Sequence, residues 1–254
     1  VWFHVFARSL VAVFIPILLL QIDYSIGEVM IYYFLYHLFD VPLNFFARWL
    51  VRKIGARMVI ALGIIASIGF FLVLFNLVPN SWPLLITLAF FAAFYDVLYW
   101  VAHIYFFMES SKKRENASKD TSILYMVRRI GGMLAPAVGG LILIFFNQKA
   151  LIVVSIILLF VSLLPLLKMK KTKDKPTNKQ MSFRRFFRHK EDLRNYLVMG
   201  LFSIHRGAEN IIFPLFIYLI FETIESVALV PIIVSLTAIV FSFFAGRIKR
   251  DDRT

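Results

Sequence analysis

The sequence predicts an all-α integral membrane protein with eight transmembrane helices, and three observations carry that reading. Of its 254 residues, 60% are hydrophobic and 17% are charged, whereas a soluble domain is about half apolar and about a quarter charged. The apolar residues gather into stretches of about 20, enough to cross roughly 30 Å of hydrocarbon. All but Arg8, Lys149 and Arg206 of the 28 Lys and Arg residues fall in four clusters: Arg48 to Arg57, Lys112 to Arg129, Lys168 to Arg194 and Arg247 to Arg253. Each cluster follows a pair of apolar stretches. Basic residues near span ends are retained on the cytoplasmic side. The N-terminus and all four clusters are therefore expected inside, with the plasma (cytoplasmic) membrane as the location.

The elements follow in order. The first helix is expected from Val1 to Gln21, and Asp23 to Glu28 makes a short outer connection. The second helix runs from Glu28 to Leu50 and the third from Met58 to Phe75. Pro79, Asn80 and Pro83 mark an outer turn. The fourth helix runs from Trp82 to Met108, the polar loop Glu109 to Ser122 lies inside, and the fifth runs from Ile123 to Phe146. Asn147, Gln148 and Lys149 turn outside, and the sixth helix covers Ala150 to Leu167. After Lys168 to Arg194, the seventh helix covers Asn195 to Phe221 and the eighth Ser226 to Ile248.

This order divides the chain into a six-helix bundle (residues 1–167), a basic cytoplasmic linker (168–194) and the first two helices of a truncated second bundle (195–254). The opening at Val1 and the close shortly after a span read as a fragment. In the linker, Phe183, Phe186, Phe187 and Leu193 alternate with Arg184, Arg185, Arg188 and Lys190. That pattern suits an amphipathic helix on anionic inner-leaflet lipid; its plainer reading is a basic entry into the seventh helix.

The composition excludes several classes. The net charge of +13 is tied to span ends, so it argues for anionic lipid and against nucleic acid. The absence of cysteine removes disulfides, thiolate metal sites and Cys nucleophiles. The five His residues show no metal-ligand spacing, and no cofactor is expected. An embedded transferase would need acids or histidines clustered at inner loops, and the inner loops are basic instead, so no enzymatic activity is expected. No filter sequence supports a channel.

Ionisable groups at membrane depth are the candidate site. Only Ser9 to Leu20 separate Arg8 from Gln21, roughly 18 Å of helix, so Arg8 is expected within the hydrocarbon, where a charge faces protein or a water-filled cavity. Asp96 lies midway between Pro83 and Glu109, and Asp96, Trp100, His103 and Phe107 form one stripe of the fourth helix. Glu209 is central in the seventh helix, His205 is one turn before it, and Arg206 at i−3 can reach it. In a functional reading these groups line an aqueous path: Arg8 and Arg206 bind an anionic group, and Asp96 or Glu209 takes and releases a proton. In a structural reading, Arg206–Glu209 and Arg8–Asp96 are ion pairs that only hold helices together. Asp40, nearer the inner end of the second helix, is expected to contact basic residues of the adjacent loop, and His37 to be an ordinary packed or interfacial side chain. In the fifth helix, Gly131, Gly132, Pro136, Gly139 and Gly140 permit a close helix crossing, and in a sharper reading a hinge.

The chain resembles the major facilitator superfamily of secondary transporters over essentially its whole length. "FARSLVAVFIPILLLQIDYSIGEV" resembles that family's first helix and outer turn. "RWLVRKIGAR" stands where the family carries its inner-loop motif G-x-x-x-D-R-x-G-R-R. Gly55 and Arg57 match it, Arg48 and Arg52 replace its first Gly and its Asp, and Lys53 lies between. "AGRIKRDDRT" is similar to the second copy, with Gly246 and Arg247 in place and the acid displaced to Asp251. "APAVGG" is similar to the G-P-x-x-G-G motif associated with antiporters. The resemblance implies alternating access by two bundles around a central cavity lined by the first, fourth, seventh and tenth helices, with a small solute as substrate. The rival is a non-transporting membrane protein of the same fold.

Overall fold

The computed structural model describes residues 2–111, 117–168, 194, 197–198, 200–202, 205, 207–229, 233 and 237. Side chains are described for all of these except 107–111, 117–129, 133 and 167–168. Every regular element among the described residues is helical: α1 (Trp2–Ala12), α2 (Ile15–Gln21), α3 (Ile26–Ile54), α4 (Ala56–Phe75), α5 (Trp82–Ser111), α6 (Ala117–Phe145) and α7 (Gln148–Lys168). A π-helical turn (Ala208–Ile212) then leads directly into α8 (Phe213–Phe221), and residues 224–229 are again helical.

Among the described residues, five spans are long and apolar enough to cross a membrane: Trp2–Gln21, Ile26–Ile54, Ala56–Phe75, Trp82–Phe106 and Gln148–Leu166. Ile130–Phe145 and Ala208–Phe221 are shorter apolar helices where the fifth and seventh spans are expected. Most of the eighth lies outside the described residues, as do residues 169–193 of the linker with its amphipathic segment, Arg206, Gly246 and Arg247.

Local chemistry explains where the helices break and where they continue. The first span is interrupted between α1 and α2 because Pro16 has no N–H to offer the carbonyl of Ala12. Ser25 opens α3 through a capping box with Glu28: the Ser25 hydroxyl accepts from the Glu28 N–H at 3.3 Å, and the Glu28 carboxylate accepts from the Ser25 N–H at 2.8 Å. α3 ends at Gly55, whose φ of 87° is the left-handed region that glycine tolerates. The helix ends expected at Met108 and Ile123 move outward to Ser111 and Ala117, because a helix leaving the hydrocarbon keeps its own backbone hydrogen bonds in water.

The helices of the first half pack in a connected series. α3 packs on α5, α5 on α4, α4 on α7, α7 on α1 and α1 on α6. Lipid tails are as apolar as leucine, so close packing holds such a bundle rather than hydrophobic burial. Glycine supplies that packing: a Cβ on Gly63 would lie 2.9 Å from the Tyr99 backbone nitrogen, and one on Gly139 would run into the Leu10 carbonyl oxygen. α8 packs against α2, and a Cβ on Gly140 would lie 2.5 Å from the Ala228 Cβ, so the second half meets the first at α2 and α6. At the outer turns, the Tyr24 hydroxyl donates to the carbonyls of Val78 and Ser81 at 2.8 and 3.2 Å. Large apolar side chains such as Phe34, Phe145 and Leu201 are exposed, as surfaces bathed in lipid require.

Candidate functional site

The site grows from three i, i+4 pairs on three helices. α1 contributes His4 and Arg8, α3 contributes Tyr32 and Tyr36, and α5 contributes Tyr95 and Tyr99. Four residues is about one helical turn, so each pair presents two polar groups from one face. α1 and α5 meet chiefly through these long side chains, because their backbones make little close contact.

The Arg8 guanidinium lies over three rings: its Cζ is 4.2 Å from the Tyr95 centroid, 4.9 Å from Phe70 and 5.6 Å from Phe71. The negative ring faces stabilise a desolvated cation by about 2 kcal/mol. Nη1 is buried and makes no hydrogen bond, and Arg8 makes no ion pair with Asp96. In place of the Arg8–Asp96 ion pair of the structural reading, Arg8 has an aromatic cradle. Asp96 is partly buried, and its electrostatic neighbours are Asp40, Arg8, Tyr36 and His37. Arg8 and Asp96 thus belong to one polar junction between α1, α3, α4 and α5 without neutralising each other by contact.

A column of rings adjoins that junction. His4 is 2% exposed, stacks on Tyr99 with centroids 3.7 Å apart, and has no hydrogen-bond partner on either ring nitrogen. His103 stacks on Tyr99 at 5.6 Å, and Trp100 meets His103 edge-on at 5.8 Å. Trp100 and His103 therefore join the Tyr99 column, one and two turns along α5 from Asp96. The side chain of Phe107 lies outside the described residues.

The seventh helix places its residues differently. His205 Nε2 lies 3.5 Å from Glu209 Oε1, and the two side chains are 65% and 51% exposed. The structure joins this pair on one face, as expected, but does not join it to the Arg8 junction. Glu209 is the second residue of the π-turn, in which the Phe213 N–H bonds back to the Ala208 carbonyl. Pro214 lacks an N–H, so the Asn210 carbonyl loses its ordinary helical donor, and the wider turn accommodates that loss. An open cleft of about 520 Å³ separates this turn from α3.

At the inner end, Arg57 donates from Nε to the Leu166 carbonyl oxygen at 2.5 Å, tying the first turn of α4 to the end of α7. A cation there also meets the negative end of the helix dipole. Arg48, Arg52 and Lys53 are exposed, with the Lys53 ammonium 4.8 Å from the Trp49 ring. In α6, Gly131 has Val5 Cγ1 3.5 Å from the place of a Cβ, Gly139 and Gly140 make the close crossings, Gly132 faces open space, and Pro136 sits inside a continuous helix.

Sequence reasoning missed His4 and the four tyrosines. The repeated i, i+4 polar pairing within apolar helices was the signal that could have found them. Among the described residues no group of three or more His, Asp or Glu side chains is placed to hold a metal.

These features define a polytopic helical membrane protein with ionisable and phenolic groups gathered at depth between its helices. A family model for the Major Facilitator Superfamily matches residues 1–252, and the chain belongs to that family. The family indicates a transporter in general, and its members are generally transporters rather than enzymes. Neither the curated proteins nor the solved structures yielded a match.

Proposed function

We propose that this chain is a secondary active transporter of a small solute, working by alternating access around the Arg8–Asp96 junction. The observation that carries the reading is Arg8: a guanidinium held at depth by three rings, with one nitrogen unpartnered and no carboxylate against it. Such a charge is expensive in the membrane unless something answers it. An anionic group of the solute docks on Arg8, and Asp96 takes and releases a proton as that added negative charge arrives and leaves. His205, Arg206 and Glu209 contribute from the seventh helix. The six-helix unit of residues 1–167, the linker 168–194 and the second unit from 195 onward supply the moving halves. The basic loops lie on the cytoplasmic face of the plasma membrane against anionic lipid, as their clustering supports.

The test uses the full-length protein in proteoliposomes. Asp96→Asn together with Glu209→Gln abolishes uphill solute transport driven by a pH gradient and leaves downhill exchange. Unchanged uphill transport with an unchanged pH profile sinks the proton role.

A further inference from the structure

α3 is the least covered of the five long spans. Over its C-terminal half, one row of positions is exposed throughout: Leu38, Val41, Phe45, Arg48 and Arg52. Steps of three and four residues keep such a row on one face of a helix. Trp49 and Lys53 flank it and are also exposed, with the Lys53 ammonium 4.8 Å from the Trp49 ring. The row is thus apolar from Leu38 to Phe45 and cationic from Arg48 onward.

Three observations say what this face meets. The first is charge. Among the described residues no carboxylate pairs with Arg48, Arg52 or Lys53. Asp40, the nearest acid along the helix, lies two turns from Arg48 and pairs with His37 instead. Arg52 also stands where the family's inner-loop motif carries its Asp, so the local counter-charge is replaced by a further cation. The second is height. The ten residues from Leu38 to Arg48 rise roughly 15 Å, which is half of the roughly 30 Å hydrocarbon thickness. When the apolar positions cover the chains of one leaflet, the arginines stand at the level of its phosphates. The third is Trp49, whose ring type favours the headgroup level. Two guanidinium groups one turn apart offer N–H forks that match phosphate oxygens.

We propose that the C-terminal half of α3 holds one anionic phospholipid. Its phosphate lies on Arg48 and Arg52 with Lys53 beside it, and one acyl chain runs along Phe45, Val41 and Leu38. This is a defined site on one helix, beyond the diffuse attraction of basic loops to an anionic leaflet. It shares no residue with the Arg8 site and stands whether or not the chain transports a solute.

The test places the full-length protein in nanodiscs with phosphatidylglycerol or phosphatidylcholine bearing the same diazirine-labelled acyl chains. Photolabelled positions are mapped by mass spectrometry. Phosphatidylglycerol is expected to label residues 38–49, and excess unlabelled phosphatidylglycerol displaces the label where excess phosphatidylcholine does not. Arg48→Gln with Arg52→Gln lowers displaceable labelling about thirtyfold, roughly fivefold for each charge removed at a membrane surface. Arg52→Asp, which restores the motif's acid, lowers it at least as far as Arg52→Gln. Neutralising two linker lysines, Lys173→Gln with Lys175→Gln, leaves it unchanged. If the double arginine variant misfolds, Arg48→Gln alone reads as a fivefold loss. Equal labelling by the two lipids identifies ordinary lipid contact and overturns the proposal. An equal loss in the linker variant identifies diffuse attraction and does the same. No labelling of residues 38–49 by either lipid shows the face covered by protein, and that also overturns it.

Discussion

Arg8 with Asp96 and His205 with Glu209 stand out in the sequence for the same reason, charge in the middle of an apolar span, yet the fold treats them oppositely. The first two are enclosed by rings from α4 and α5 and by the tyrosines of α3. The second two form a 3.5 Å pair that is more than half exposed. Depth in the membrane was set by position along one helix, but enclosure required neighbours from other helices. A partly screened pair on a surface contributes at most about 1 kcal/mol, whereas a buried charge commits its surroundings to answer it. Under the proposed function, this difference gives α1 and α5 the larger part and the seventh helix a smaller one.

The largest expected effect lies at the enclosed site. Arg8→Met removes the charge and lowers solute transport about a hundredfold in proteoliposomes, the order expected when a buried charged partner is lost. Arg8→Lys restores little, because a point ammonium neither spreads over three rings nor offers a fork. A wild-type transport rate in Arg8→Met breaks the comparison.

Gly139→Val acts next, through packing. Its side chain meets the Leu10 carbonyl two residues from Arg8, and the overpacking costs about 1 to 3 kcal/mol. This reads as a lowered Tm in detergent and a loss of monodisperse protein. Gly132→Ala faces open space and raises helix propensity, so its Tm stays level or rises slightly. Equal losses in both variants contradict the close crossing of α1 and α6.

The smallest effect belongs to the exposed pair. Glu209→Gln changes transport less than about fivefold and leaves Tm unchanged. A hundredfold loss there moves the centre of the site to the seventh helix.

Much of the fold was legible from the chain. Apolar run length located the spans, and Pro79, Asn80 and Pro83 the outer turn between α4 and α5. Gly55, read from the sequence only as a match to the inner-loop motif, also closes the tight inner connection with its positive φ. The break near Pro16 and the capping box of Ser25 and Glu28 are local, and local signals survive in sequence. The site was legible only as single residues. Asp96, Trp100 and His103 share a stripe because four-residue spacing fixes that much. That Arg8 rests on Phe70, Phe71 and Tyr95 rather than on Asp96 depends on how α1, α4 and α5 are rotated, and glycine contacts at Gly63 and Gly139 set that rotation. A tyrosine in an apolar helix looks like packing until a second helix brings a charge to it, which is why Tyr32, Tyr36, Tyr95 and Tyr99 were passed over.

The central claim is that Asp96 faces an aqueous path and not a sealed core. These 254 residues contain no cysteine, so single thiols are placed in them on a full-length background from which any further cysteine has been replaced. The measurement compares Asp96→Cys with Ser67→Cys, a position in the α4 core that is 0% exposed, in the full-length protein sealed in vesicles. A charged, membrane-impermeant thiosulfonate reacts with hydrated thiolate. The account predicts that Asp96→Cys is modified and Ser67→Cys is not. An Asp96→Cys as inert as Ser67→Cys, in protein that remains folded, would contradict it.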